Sequence, residues 1–268
     1  MTGRVALVAG RGDLPAALAG ALSPRPVVCA LMGQEPNGLV PDNLFRLETL
    51  GSLIATLSRD GLTDVCLCGG IERPEIDPAA IDAETLPLIP VLKGALAAGD
   101  DGALRAVMGL FEARGMTIRA AHEIAPSLLA PSGRIGAHEP DAMLDANLAA
   151  ASDALSQMAK ADLGQAVILR DGAVLAQEDE RGTDALLADM AAVDAGGAVL
   201  VKAPKPGQDL RADLPTIGLD TVKAATQAGL SGIVVAAGAS LVLDRDAVIA
   251  ACDAAGLFLY GAEPCTFS

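Results

Sequence analysis

Tryptophan is absent from this chain, and aromatic side chains make up only 2% of its 268 residues. Proteins that grip single-stranded nucleic acid usually stack bases on aromatic rings, so that platform is missing. Cations are scarce beside anions: 19 Lys and Arg stand against 34 Asp and Glu, a formal net charge of −15. General nucleic-acid affinity comes from neutralising phosphates with Lys and Arg, so no nucleic-acid partner is expected. Histidine occurs only at His122 and His138, neither with an acid at motif spacing, which argues against a histidine nucleophile or a histidine-built metal centre. The five cysteines (Cys29, Cys66, Cys68, Cys252, Cys265) are odd in number and lack the C-x-x-C spacing of a zinc site. A reducing compartment fits them best. No apolar run reaches the roughly 20 residues that a spanning helix needs. The start, MTGRVALVAGRGDLP, has no basic region followed by a long apolar stretch and a cleavage site, so a cytoplasmic protein without a signal peptide is expected.

What is present is a chain that is 51% hydrophobic, enough for a full core and more in keeping with two modest domains than with one. Val5 to Ala9 forms an apolar run ending in Gly10-Arg11-Gly12-Asp13-Leu14-Pro15. This reads as strand, glycine turn and helix, with Pro15 in the first helical turn. The dinucleotide fingerprint G-x-G-x-x-G fails at its third glycine, which is Pro15. A helix N-terminus with free amides still suits a phosphate without it. Further strands are expected at Val27 to Leu31, Leu44 to Glu48, Asp64 to Cys68 and Ile118 to Ala121, alternating with helical spacing, which argues for a mostly parallel sheet. Gly69-Gly70 after the fourth strand either lets a ligand approach the backbone or serves packing. Asp100 and Asp101 read as N-cap and first-turn acid of a following helix; the other reading makes them ligands of a hard cation or an acid/base pair.

Pro126 to Pro140 is rich in proline and glycine and marks the domain boundary. The expected organisation is α/β: an N-terminal Rossmann-like domain over 1–130, a linker over 131–140, and a C-terminal α/β catalytic domain over 141–268. In the second half a helix is expected from Asp141 to Met158, and Asp171-Gly172 signals a hairpin between two strand-like runs. Glu178 to Asp184 is an acidic run in which Thr183 or Asp184 caps the next helix, leaving Glu178 and Glu180 free at a strand exit.

The most informative stretch is Lys202 to Gly218, KAPKPGQDLRADLPTIG, which follows the buried-strand pattern Gly197 to Val201. A plain α/β connection takes about 2–6 residues. This one is longer and proline-kinked, and it lies at a parallel strand's exit, where open α/β sheets bind ligands. Lys202, Lys205 and Arg211 suit phosphates, and Asp209 and Asp213 suit a divalent metal. An ordinary solvated loop is the competing reading.

In order along the chain, Ala9 to Pro15, Asp100-Asp101 with Leu104-Arg105, Leu129-Ala130-Pro131 through Gly133 and Gly136, and Gly164 to Val167 all carry a resemblance, as do Gly182-Thr183-Asp184, Lys202, Lys205 to Asp209, Asp213 to Gly218 and Asp244-Arg245. Together they resemble the UDP-2,3-diacylglucosamine pyrophosphatases of the LpxI type. Two departures stand out: Ala236-Ala237-Gly238 where a glutamate before Ala-Gly is expected, and Arg181 within the acidic run. The resemblance implies metal-dependent hydrolysis, with Mg²⁺, of UDP-2,3-diacylglucosamine to UMP and 2,3-diacylglucosamine 1-phosphate in lipid A biosynthesis. It also implies a lipid chamber between two α/β domains and peripheral work at the inner membrane. The assigned roles place Asp213 on the metal or the attacking water, helped by Asp209 or by Asp100 and Asp101. Lys202, Lys205 and Arg211 neutralise phosphate charge. Gly10, Gly12 and Asp13 contact nucleotide or sugar, and Gly70, Gln165, Thr183, Gln208 and Thr216 complete the substrate-binding set. Aliphatic runs such as Ile124 to Ala130 either sleeve the acyl chains or are ordinary core. A homodimer is the working expectation for the assembly. A nucleotide-sugar or dinucleotide oxidoreductase and a non-catalytic nucleotide-lipid sensor are the competing functions.

Overall fold

A computed structural model describes residues 4–72, 75–97, 99–193, 195–211 and 213–267; the side chains of 95–100 and 264 lie outside that description. The chain divides into two units, Met1–Pro126 with Asp209–Asp213, and Ser127–Gln208 with Leu214–Ser268.

The first unit runs β1 (Val5–Ala9), α1 (Leu14–Ala21), β2 (Val27–Leu31), β3 (Asn43–Phe45), α2 (Leu50–Arg59), β4 (Asp64–Cys68), α3 (Ile89–Ala97), α4 (Gly99–Glu112), β5 (Thr117–Ile118) and α5 (Ala121–Ile124). Its five strands pair in parallel in the order β3-β2-β1-β4-β5, the expected doubly wound arrangement. Alternate residues serve opposite faces. Ala6, Val8, Cys29, Leu31, Val65 and Leu67 pack with Ile54, Leu57, Met108 and Phe111 from α2 and α4. Leu7, Val28 and Cys66, out of phase by one, are fully buried on the other face. Burial on both faces is why these strands read as continuous apolar runs.

Three boundaries differ from the expectations. β3 stops at Phe45 because Leu47–Thr49 winds into a 3-10 turn ahead of α2. The strand expected to reach Ala121 ends at Ile118, since the Ala120 N–H is taken by the Glu123 carboxylate and α5 begins. α4 already starts at Gly99, so Asp100 falls inside the helix rather than at its cap.

The second unit runs β6 (Gly133–Arg134), α6 (Leu144–Ala161), β7 (Ala166–Arg170), β8 (Ala173–Gln177), α7 (Gly182–Ala191), β9 (Val199–Lys202), β10 (Thr216–Ile217), α8 (Leu219–Gln227), β11 (Gly232–Ala236), β12 (Leu241–Val242), α9 (Arg245–Ala255) and β13 (Phe258–Ala262). Its main sheet is ordered β6-β13-β11-β9-β7-β8, with β9, β11 and β13 parallel and the flanking strands antiparallel. One face (Ile168, Leu200, Ile233, Leu259) packs on α7, α8 and α9 through Leu187, Val222 and Val248. The other (Val167, Val199, Val201, Val234) packs on Ala151, Leu155 and Met158 of α6. The expected hairpin closes at Asp171 and Gly172, whose positive φ values of 54° and 75° suit a turn that follows strand twist. α6 begins three residues later than expected because the Asp141 carboxylate accepts the Met143 N–H at 2.9 Å and holds a turn ahead of the helix.

Candidate active site

In the second unit the C-terminal ends of β9, β11 and β13 lie on one edge of the sheet, at Lys202, Ala236 and Ala262. The register Ala166↔Lys202 and Val167↔Gln177 brings the start of β7 and the end of β8 to the same edge. Such an edge is where open α/β sheets receive ligands. Ser240, fully buried, secures it: its Oγ accepts the Ala236 N–H at 3.1 Å and donates to the Lys202 carbonyl at 3.4 Å. Lys202 is half-buried at the head of the long loop. Beyond it the Ala203 N–H donates to the Gln165 carbonyl.

The loop then closes on itself. The Lys205 N–H donates to Gln208 Oε1 at 3.0 Å and the Gln208 N–H to the Lys205 carbonyl at 3.1 Å, around Gly207 at φ 78°. Lys205 Nζ donates to Asp162 Oδ1 at 2.8 Å, with only 11% of the lysine side chain exposed. Asp162 is held for this by its left-handed conformation at the C-terminus of α6. Thr216 gives its hydroxyl proton to the Leu214 carbonyl at 2.9 Å. Ala236 is 1% exposed within the apolar face, so the position where the family pattern suggests an acid is core here.

Sequence reading underrated Glu178. Rather than standing free, it is 8% exposed and accepts the Thr183 hydroxyl at 2.7 Å and the Gln165 N–H at 2.5 Å. Thr183 therefore lies inside α7 with its hydroxyl turned back to Glu178, and neither it nor Asp184 is the helix cap. Arg181, which departs from the family pattern, pairs with Asp179 and Asp189 on the surface.

Asp209–Asp213 belongs to the first unit and lies against α4. The Asp209 N–H approaches Asp101 Oδ1 at 3.4 Å, and the Asp213 N–H approaches the Asp209 carbonyl at 3.4 Å. Arg211 clamps the segment: Nε and Nη2 donate to the Asp209 carboxylate at 3.0 and 2.8 Å, and Nη1 to Glu112 at 3.0 Å. Asp101 is paired with Arg105 at 2.7 Å. The Arg211 hydrogen bonds hold the Asp209 carboxyl below the usual aspartate range against its partial burial. Arg211 was expected to neutralise phosphate, yet its fork is committed to carboxylates. The Asp100 side chain lies outside the described residues.

Among the described residues, no three His, Cys, Asp or Glu side chains converge as a ready metal cage. Mg²⁺ does not require one, because it is commonly held by one or two carboxylates plus waters and substrate phosphates. The neighbouring aspartates of this segment and of α4 offer hard oxygen donors of that kind.

At the C-terminal edge of the first unit's sheet, the two glycine turns fill one another. Arg11 and Gly70 exchange backbone hydrogen bonds at 2.8 and 3.0 Å, and a Cβ on Gly10 would stand 2.3 Å from the Gly70 carbonyl oxygen. Backbone packing thus accounts for Gly10 and, across the turn, for Gly69, whose Cβ would stand 2.7 Å from the Gly10 and Arg11 carbonyl oxygens, whereas a Cβ on Gly70 would meet nothing. Gly12 meets open space and is required instead by its φ of 90°. Asp13 accepts the Asn37 amide at 2.9 Å and sets a carboxylate at the N-terminus of α1. A dinucleotide would place its pyrophosphate there, so the oxidoreductase reading loses its phosphate site.

Both halves of the chain match family models, the LpxI N-terminal domain over residues 4–128 and the LpxI C-terminal domain over 131–260. The chain belongs to the LpxI family. It is similar to the UDP-2,3-diacylglucosamine pyrophosphatase LpxI of Caulobacter vibrioides, with 38% identity over 274 aligned residues that cover 97% of this chain and 98% of the relative. Within this LpxI fold, Glu178, Asp162, Glu112 and Ser240 are the partners that sequence motifs did not single out. A signal existed for Glu178: Gly164 and Gly182, both with positive φ, flank it in space.

Proposed function

We propose that this LpxI-family protein is a hydrolase that cleaves the diphosphate of UDP-2,3-diacylglucosamine, giving UMP and 2,3-diacylglucosamine 1-phosphate in lipid A biosynthesis. The observation that carries this reading is the match across both domains and nearly the whole length of a relative with that activity in its name. Asp213 is proposed to orient or deprotonate the attacking water, supported by the approach of its N–H to the carbonyl of Asp209, whose own N–H approaches Asp101 of α4. Mg²⁺, held by Asp213 with Asp101 and Asp100, would supply Lewis-acid charge to the phosphates when bound. Lys202 and Lys205, at the head of the loop leaving β9, would meet the phosphate charge, with Lys205 offering a further ammonium N–H while it keeps its pair with Asp162. Gln165, Thr183, Gln208 and Thr216 sit along or beside the same sheet edge and complete the substrate contacts in this reading.

No described helix is long and apolar enough to cross a membrane. Peripheral contact with the inner membrane is nonetheless proposed, because two acyl chains hold the substrate in a bilayer, with each buried CH₂ contributing about 0.8 kcal/mol. A homodimer is proposed on the outer edge of β8, where Val174 and Leu175 are each 39% exposed and a strand edge with no sheet neighbour among the described residues favours a covering partner.

The test is release of UMP and the 1-phosphate from purified substrate, followed by mass spectrometry with and without Mg²⁺, for wild type and Asp213→Asn. Wild type should turn over with Mg²⁺ and stop in chelator, and the variant should lose at least about a hundredfold in kcat. Unchanged turnover in Asp213→Asn would remove that residue from the mechanism, and activity in chelator would remove the metal.

A further inference from the structure

Two separate pieces of chain close on Glu178 at the exit of β8. Thr183, in the first turn of α7, donates its hydroxyl to Oε1, and Gln165, just ahead of β7, donates its main-chain N–H to Oε2. Gly164 lies against the stem, where a Cβ would stand 2.6 Å from the Glu178 Cβ, and Gly182 turns the chain into α7 at φ 84°. Gly164 leaves room for the side chain, Gly182 supplies the turn, and the carboxylate fixes the residues that follow them.

This arrangement decides what Thr183 can offer a ligand. A carboxylate has no proton to give, so the single hydroxyl proton of Thr183 goes to Glu178. The outer lone pairs of Thr183 Oγ then only accept. An acceptor set against a phosphate oxygen is repulsive, whereas one set against a hydroxyl or N–H forms a hydrogen bond.

We infer that Glu178 is a positioning residue that fixes Thr183 as an acceptor, so that Thr183 reads a donor on the base or sugar of the substrate and not its diphosphate. The inference rests on the reading of Thr183 as a substrate contact. It assigns this corner of the sheet edge to specificity and leaves phosphate recognition to the cationic loop beyond β9.

Steady-state kinetics on UDP-2,3-diacylglucosamine in detergent, with thermal melts as a check on folding, test it. Thr183→Val and Glu178→Gln should each raise KM about tenfold with little change in kcat, the signature of lost substrate binding at the cost of one hydrogen bond. Thr183→Ser should restore wild-type KM, and the Glu178→Gln, Thr183→Val double variant should be no worse than Thr183→Val alone. Equal, independent penalties from the two substitutions would overturn the inference. So would a raised KM in Thr183→Val beside an unchanged one in Glu178→Gln. A wild-type KM in Thr183→Val would sink the underlying reading of Thr183 as well. If Glu178→Gln melts below the assay temperature, inhibition of Thr183→Val by UMP, by the 1-phosphate product and by inorganic phosphate decides the matter. Weakening of one organic product alone supports the inference, and weakening of inorganic phosphate overturns it.

Discussion

Replacing Arg211 with lysine separates two roles that one arginine can play. If its charge acts directly on phosphate, lysine keeps the charge and much of the activity. The structure instead spends the fork, with Nε and Nη2 on Asp209 and Nη1 on Glu112. A lysine has no planar fork and cannot reproduce that pairing. Asp209 has 13% of its side chain exposed, so its bonds to the guanidinium resist water, and losing them costs about 1.5–3 kcal/mol of local stability. The Glu112 arm joins two groups that are nearly half exposed, and it adds less than about 1 kcal/mol. Amides of the 209–213 segment should therefore exchange with deuterium roughly ten- to a hundredfold faster in Arg211→Lys. Turnover should fall alongside, while Glu112→Gln changes both only slightly. The sign with pH follows from the depressed Asp209 pKa. The clamp is complete above the ordinary aspartate pKa and is lost as pH falls through the lower folded value. Wild-type exchange and wild-type turnover in Arg211→Lys would refute the clamp and restore the phosphate role.

Glu48 offers a purely structural test: it is 2% exposed, and its bonds to the Arg46 guanidinium pull its pKa from 4.5 down to about 2, assisted by the Asp77 N–H and opposed by desolvation. Its stabilisation is present above pH 4.5 and disappears as pH falls toward about 2, so the stability gap between wild type and Glu48→Gln, read by urea melts, should shrink across that window. A gap independent of pH would contradict the assignment. Gly10→Ala should cost about 1–3 kcal/mol, because its Cβ meets the Gly70 backbone, yet the folded enzyme should keep its KM. A fully stable variant with raised KM would show that Gly10 faces substrate instead.

The sheets were legible because their chemistry is local. Runs such as Val5 to Ala9 and Val65 to Cys68 are apolar at every turn of the pleat, and Asp171-Gly172 supplies the positive φ that a tight hairpin needs. The loop beyond Lys202 announced itself through its prolines and interleaved charges. What stayed hidden was partnership. Asp162 is an unremarkable acid until its left-handed backbone turns it toward Lys205, 43 residues on. Glu112, at the end of an amphipathic helix, meets Arg211 across 99 residues. No spacing rule relates such pairs, because the fold and not the local period brings them together. The glycine turns show the same limit: Gly10 and Gly69 pack against the facing backbone in a way that no one-dimensional motif reveals.

These pairings bear on how an acidic chain receives an anionic diphosphate. Lys205 is neutralised by Asp162, Arg211 by Asp209 and Glu112, and Arg105 by Asp101. The cations that sequence reading assigned to phosphate are thus mostly matched before substrate arrives. Binding must then either exchange a carboxylate for a phosphate, leaving that carboxylate unpaired, or bring in further positive charge. The first route is costly at Lys205, where 11% of the side chain is exposed and Asp162 would lose its partner. A divalent cation shared between aspartates and phosphates avoids that cost, because it adds charge without breaking a pair. The ion pairs of this chain thus give the proposed Mg²⁺ an electrostatic reason, which loss of turnover in chelator would bear out.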